Sequence, residues 1–313
     1  MAERTALKAQ AEVFGRLSPH YTALLAQYAA GRSPHALLLT GPFGVGKGTL
    51  AGLLAASLLC EGEDAPCGRC PGCVKAARRT HPNLLVLGLA ERQKTVKVEQ
   101  ARDLLSSLAT HPFEAGRRAV LLEGVENYTP AAQNALLKAV EEPDGGTFFL
   151  LTTAVESAVL PTIRSRCQRA AVSPWPREEV ARLLLADGLG QEEALELAAL
   201  SFGSPGKARQ IRQDARFPAV RKAADEALFS MVGLSALPAA SQRLRDMKDS
   251  ADLLLDYAES AALRLAGSGP PGAPEARRAQ RILEAVLSAR QYRASNVSWQ
   301  AVADRLLMTI SEE

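Results

Sequence analysis

The 313-residue sequence has little of several features that would define its class at once. Only 5% of its residues are aromatic, and its net charge is +3, from 37 basic and 34 acidic side chains. Such a balance excludes a nucleic-acid binder held by overall charge alone, although it leaves room for a local basic patch. No apolar run approaches the roughly 20 residues of a membrane helix, and the polar start lacks the apolar segment of a signal peptide. We therefore expect a cytoplasmic protein with no membrane association.

The sequence does contain the pattern of an α/β domain up to about residue 172. Short apolar runs predict buried strands, and segments with helical periodicity alternate with them. The predicted strands cover residues 36–40, 84–87, 119–122 and 148–152, and the predicted helices cover residues 49–59, 98–108 and 130–142. This alternation predicts a parallel sheet covered by helices.

Beyond residue 172 the strand pattern ends. Residues 173–176 (SPWP) contain two prolines, which suit neither a helix nor a central strand. Everything after them has helical periodicity. The sequence therefore predicts three domains, an α/β domain at residues 1–172, a small helical domain at 173–209 and an all-α domain at 210–313.

A glycine-rich loop at residues 41–47 (GPFGVGK) follows the first predicted strand and precedes a helix. In that context backbone N–H groups wrap an anion, the helix N-terminus adds its positive end, and the lysine reaches the outer phosphates. The loop therefore predicts a P-loop that would hold ATP or ADP. Its candidate contacts are Gly41, Gly44, Gly46, Lys47, Gly48 and Thr49.

Two positions around this predicted site lack groups that hydrolysis requires. The residue after Lys47 usually carries a hydroxyl that ligates Mg²⁺, but here it is Gly48, and Thr49 lies about 100° further around the helix. After the third predicted strand, one acid should hold the metal and a second should polarise the attacking water. Glu123 can serve the first role, whereas Gly124 cannot serve the second. We therefore expect weak metal placement and little hydrolysis.

Four of the five cysteines, Cys60, Cys67, Cys70 and Cys73, lie within residues 60–73. In a cytoplasmic chain of this size, such a cluster indicates a metal site rather than disulfides. Four thiolates at this spacing can close a tetrahedral, structural Zn²⁺ site with no open coordination position. An iron–sulfur cluster and a redox dithiol are the alternatives. The remaining cysteine, Cys167, is predicted to be a buried free thiol.

Several segments together resemble the AAA+ subunits of bacterial DNA polymerase III clamp loaders. They are the P-loop with a Pro-His pair before its strand, the four-cysteine insert that leads into Thr-His-Pro, residues 134–143 (NALLKAVEEP) and residues 160–167 (LPTIRSRC). The resemblance covers roughly residues 10–210, and the rest matches only in length and helical character. It implies an AAA+ P-loop domain with a zinc-binding insert, a helical lid domain and a C-terminal oligomerisation collar.

Within this family, the chain is most similar to a member that does not hydrolyse ATP. The hydrolysing gamma/tau subunit would keep a hydroxyl, a second acid and a sensor arginine where this chain has Gly48, Gly124 and Gly206. The resemblance assigns Arg166 as an arginine finger, whose planar and permanently charged guanidinium would reach the ATP site of a neighbouring subunit. It also assigns Thr153 to the position that senses the γ-phosphate; a strand-end threonine with a bonded hydroxyl explains that residue equally well.

The resemblance also implies partners and leaves alternatives. The partners would be gamma/tau and delta subunits in a hetero-pentamer, together with a sliding clamp and primer–template DNA. One alternative is a gamma/tau-like ATPase in which Glu123 and Thr49 compensate for the missing groups. A second is a zinc-containing adaptor outside replication, and a third is a nucleotide kinase that shares only the P-loop.

Overall fold

The computed structural model describes residues 2–91, 93–110, 116–230, 234–267, 270 and 273–311. The chain divides into two compact units, the first comprising Met1–Glu179 with Gly203–Gly206 and the second comprising Val180–Phe202 with Lys207–Glu313. The three predicted domains, with boundaries after residues 172 and 209, remain predictions.

The first unit is built on a parallel sheet that has five strands among the described residues, in the order β2-β3-β4-β1-β5. The strands are β1 (Ala36–Thr40), β2 (Leu84–Leu87), β3 (Arg118–Leu122), β4 (Thr147–Thr153) and β5 (Gln168–Ala171). Leu38 lies opposite Leu151 in the register of β1 and β4. Because the strands are parallel, the carboxyl ends of β3, β4 and β1 meet at one edge of the sheet, where open α/β sheets bind ligands.

Seven helices of the described residues accompany this sheet: α1 (Ala2–Leu17), α2 (Pro19–Ala30), α3 (Lys47–Leu58), α4 (Pro71–Ala77), α5 (Val98–Thr110), α6 (Pro130–Glu141) and α7 (Pro161–Arg164). The start of α6 is fixed by its sequence, because Thr129 Oγ1 accepts a hydrogen bond from Ala132 N at 3.2 Å and Pro130 takes the first helical position. Leu136 and Val140 of α6 are fully buried in the core of this unit.

After β5 the described residues form helices and no strand. These helices are α8 (Arg177–Ala186), α9 (Gln191–Leu200), α10 (Pro205–Gln213), α11 (Phe217–Ala224), α12 (Leu237–Asp246), α13 (Ala251–Ala266), α14 (Pro274–Ala294) and α15 (Trp299–Ser311). In the second unit α14 packs between α13 and α15 and buries Ile282 and Val286. None of the described helices is long and apolar enough to cross a membrane. The predicted fold class, a P-loop α/β domain followed by helical regions, is confirmed.

Candidate nucleotide and metal sites

The predicted P-loop lies between β1 and α3, at the carboxyl edge of the sheet. Gly41 and Gly46 have φ values of 146° and 96°, which side chains rarely tolerate. A Cβ at Gly41 would collide with the carbonyl oxygen of Val172, and one at Gly46 would lie 3.0 Å from Phe14 Cζ. Both glycines are therefore required by the backbone and by the packing around the loop.

Lys47 is directed towards the loop itself. Its Nζ donates hydrogen bonds to the carbonyl oxygens of Gly41 at 2.8 Å and Pro42 at 2.7 Å. The side chain is buried, and burial lowers the pKa of its amine. Lys47 therefore holds the loop in the conformation described here; its predicted contact with phosphates remains a prediction.

The next three loop carbonyls accept hydrogen bonds from residues much later in the chain. Phe43 O accepts from Ser204 Oγ at 2.8 Å, Gly44 O from Gly206 N at 2.9 Å, and Val45 O from Trp175 Nε1 at 2.8 Å. At Gly206 a Cβ would lie only 2.7 Å from Gly44 Cα. The glycine at position 206, which the sequence analysis interpreted as a lost arginine, thus has a local packing reason.

Glu123 follows β3 and faces the first turn of α3. A Cβ built on Gly48 would lie 3.6 Å from Glu123 Oε1, which is ordinary contact. Both oxygens of the carboxylate are bonded by Arg79, with Nη1–Oε2 at 2.9 Å and Nη2–Oε1 at 2.7 Å. The position of Glu123 beside the P-loop was predictable from its place after β3, whereas its pairing with Arg79 was not. Thr49 is exposed on α3.

The turn after β3 has no acid at the position that follows Glu123, and the next carboxylate along the turn, Glu126, accepts a hydrogen bond from Ala154 N at 3.0 Å. Gly124 has φ 64°, and a Cβ there would lie 2.9 Å from Asn127 Nδ2, so the turn after β3 favours glycine. Its N–H donates to Thr152 Oγ1 at 3.0 Å. Thr153 is fully buried, and its Oγ1 accepts from Val155 N at 3.1 Å. The hydroxyl of Thr153 is thus bonded within the chain, and its role as a sensor stays a prediction.

Arg166 lies just after α7, with about a third of its side chain exposed (34%). Its Nη2 and Nε approach the two carboxylate oxygens of Glu141 at 2.9 Å each, and its Nη1 donates to Thr162 O at 3.0 Å. The hydrogen bond between them raises the pKa of Arg166 and lowers that of Glu141. Glu141 belongs to the NALLKAVEEP segment, but its pairing with Arg166 was not predicted from the sequence. The adjacent Cys167 is buried, as predicted.

The four clustered cysteines have the geometry of a metal site. Their Sγ atoms all lie within 4.8 Å of one another, and the pairs Cys67–Cys73 and Cys60–Cys70 are each 3.9 Å apart. Metal–sulfur bonds of about 2.3 Å in a tetrahedron would place the sulfurs roughly 3.8 Å apart. Backbone N–H groups also point at the sulfurs, for example Gly62 N at 3.4 Å from Cys60 Sγ. The cluster can therefore hold a metal ion, as the spacing predicted.

A P-loop after the first strand of a parallel sheet and an acid after the third define this chain as an α/β protein of the P-loop class, and a four-cysteine insert lies between α3 and β2. A family model described as DNA polymerase III, delta subunit, matches residues 18–175, about half of the chain. The chain therefore belongs to this family.

Individual relatives agree with this assignment. DNA polymerase III subunit delta' of Pseudomonas aeruginosa is 44% identical over 182 residues, covering 56% of this chain and 55% of the relative. Subunit delta' of Escherichia coli is 34% identical over 200 residues, covering 63% of this chain and 60% of the relative. Subunit gamma/tau of Mycobacterium tuberculosis is 35% identical over 192 residues, but the match covers 33% of that protein. The chain thus spans less than two thirds of the length of each relative.

Proposed function

We propose that this chain is a delta-prime-like subunit of the DNA polymerase III clamp loader. In this role it does not run the ATP cycle itself and acts with gamma/tau and delta subunits in a hetero-pentamer that loads a sliding clamp onto primer–template DNA. The proposal is supported by the relatives named delta'. It would place the protein among the cytoplasmic components of DNA replication.

The proposed non-hydrolysing role rests on which residues lie at the carboxyl edge of the sheet, beside the P-loop. The position after Lys47 offers no hydroxyl, the position after Glu123 offers no second acid, and Glu123 is itself paired with Arg79. A P-loop site needs its metal ligands and a group that orients the attacking water. The lack of these groups at the two usual positions favours a subunit that contributes to a neighbour's reaction over a gamma/tau-like ATPase.

That contribution would come from Arg166. Its guanidinium is partly exposed and is held by a single carboxylate, Glu141, at the surface of the chain. A planar guanidinium can bond two oxygens of a phosphoryl group at once, and an arginine finger stabilises the charge that develops on the transferred phosphoryl group. Within the proposed pentamer, Arg166 would exchange Glu141 for the γ-phosphate in the adjoining ATP site.

For the cysteine cluster we propose Zn²⁺. A closed set of four thiolates suits a structural zinc ion, which would supply folding free energy and no chemistry. The ion would tie the segment after α3 to the start of α4, where Cys70 caps the helix and Cys73 lies in its first turn. The N–H groups around the sulfurs support the thiolate form that zinc requires.

The test of the finger is Arg166→Ala in a reconstituted clamp loader. An arginine finger accelerates P-loop hydrolysis by about 10³–10⁵-fold, so the one site that faces Arg166 should become nearly silent. Total ATP turnover by the complex should fall by the fraction that this one site contributes. Arg169→Ala is the matched control, because Arg169 is also an exposed arginine paired with a glutamate, Glu156 at 3.0 Å. Unchanged turnover in a fully assembled Arg166→Ala complex would refute the role.

A further inference from the structure

Arg79 brings a positive charge to the place beside the P-loop where P-loop proteins hold a divalent cation. We propose that its guanidinium substitutes for Mg²⁺, so that any nucleotide in this site binds without a metal ion. The inference rests on the proposed use of residues 41–49 as a nucleotide site, and it concerns that site in the isolated chain.

The residues beside the P-loop lack the usual protein ligands of Mg²⁺. Mg²⁺ requires nearly octahedral oxygen coordination at about 2.0–2.1 Å and is commonly held by one or two carboxylates together with substrate phosphates. Gly48 removes the hydroxyl ligand, and each oxygen of Glu123 already accepts a hydrogen bond from a separate nitrogen of Arg79. A divalent cation approaching Glu123 would also meet the repulsion of the guanidinium charge. Gly48 and Glu123, the two positions expected to supply protein ligands, therefore offer a metal ion no free oxygen.

The backbone conformation of Arg79 is unusual for a residue with a side chain. Its φ is 57°, in the left-handed region. Arg79 N donates to Ala76 O at 3.0 Å and Thr80 N donates to Lys75 O at 2.9 Å, the bonds of a helix end at which glycine is usual. These hydrogen bonds end α4, but glycine could make them equally well, so they do not explain why position 79 is an arginine. Its bidentate contact with Glu123 does, since a side chain is needed there to neutralise the acid.

The test restores the ordinary metal position with the double variant Arg79→Gly, Gly48→Ser. Glycine suits the left-handed backbone at position 79, and at position 48 the atom nearest to a new Cβ would be Glu123 Oε1 at 3.6 Å. Fluorescent ADP is titrated into each isolated protein, in buffer freed of metal on a chelating resin and again with added Mn²⁺. The paramagnetic resonance of Mn²⁺ counts the ions bound. Lys75→Ala is the control, since it removes an exposed positive charge from α4.

We expect wild type and Lys75→Ala to bind ADP with affinities that change less than about twofold on addition of Mn²⁺. The double variant should bind at least about tenfold more tightly with Mn²⁺ and hold one ion per chain. A tenfold gain with Mn²⁺ in the wild type, or no gain in the double variant, overturns the inference. A wild type that binds no ADP in either buffer also overturns the inference, because Arg79 would then not replace the metal ion. The clamp-loader proposal is tested separately, by Arg166 in the assembled complex.

Discussion

Gly206→Ala tests whether the segment that contacts the P-loop depends on a close backbone approach. The added Cβ would lie 2.7 Å from Gly44 Cα and 3.0 Å from Gly44 O. Both are backbone atoms, so no side-chain rotation can relieve the clash. The hydrogen bond from Gly206 N to Gly44 O, now 2.9 Å, would lengthen as the two segments separate.

The size of the effect follows from these contacts. Overpacking of a well-packed position costs about 1–3 kcal/mol, and a weakened hydrogen bond adds up to about 1 kcal/mol. For a unit of roughly 150–250 residues, each kcal/mol lowers the melting temperature by about 2–4 °C. We therefore expect a decrease of about 2–16 °C, measured by thermal unfolding. Hydrogen exchange should also show faster exchange of the amides of residues 41–47.

Gly52→Ala is the control variant, because it makes the same glycine-to-alanine substitution at a position with free space. Gly52 lies inside α3, and a Cβ there would meet nothing within 4 Å. Alanine should therefore stabilise the helix by roughly 0.5–1 kcal/mol, opposite in sign to Gly206→Ala. If Gly206→Ala melts at or above the wild-type temperature while Gly52→Ala behaves as expected, the close approach at Gly206 is not a packing constraint.

Two further predictions concern the cysteines. Cys73→Ser should reduce the zinc content, measured by atomic emission, from about one ion per chain to nearly none, because the fully buried Cys73 completes the tetrahedral set. Cys167→Ser should retain the zinc, and a full zinc content in Cys73→Ser would contradict the proposed site. Burial raises the pKa of Cys167 to about 12, so at pH 8 its thiolate fraction is about three orders of magnitude below that of an ordinary thiol. Iodoacetamide should therefore alkylate Cys167 only after unfolding, as followed by mass spectrometry, and rapid alkylation in the folded protein would refute this prediction.

The central strands were predictable because their sequences carry the required pattern. A strand buried on both faces of a parallel sheet is continuously apolar, and residues 36–40 and 119–122 show that pattern and form β1 and most of β3. The edge strand β5 (Gln168–Ala171) escaped prediction because only Ala170 of its four residues is buried. Its position depends on pairing with β1, which the local sequence does not show.

In the candidate sites, too, some residues could be found from the local sequence and others only from the fold. The P-loop and the cysteine cluster are local motifs, so their residues could be found by spacing. The pairs Arg79–Glu123 and Arg166–Glu141 join residues that are 44 and 25 positions apart, and only the fold brings them together. Gly206 shows a further limit, because a residue type interpreted as a missing function can also be required by a contact with a distant backbone.

The bonded carbonyls of the P-loop have a consequence for its conformational entropy. Those of residues 41–45 accept the hydrogen bonds described above, and Gly46 O accepts one from Leu50 N at 2.8 Å. Ordering a free loop costs roughly 1–2 kcal/mol per residue, a cost that a ligand must offset when binding fixes the loop. In this chain the ordering takes place during folding. The loop is therefore held by bonds within the first unit, and a ligand that binds it would have less conformational entropy to offset.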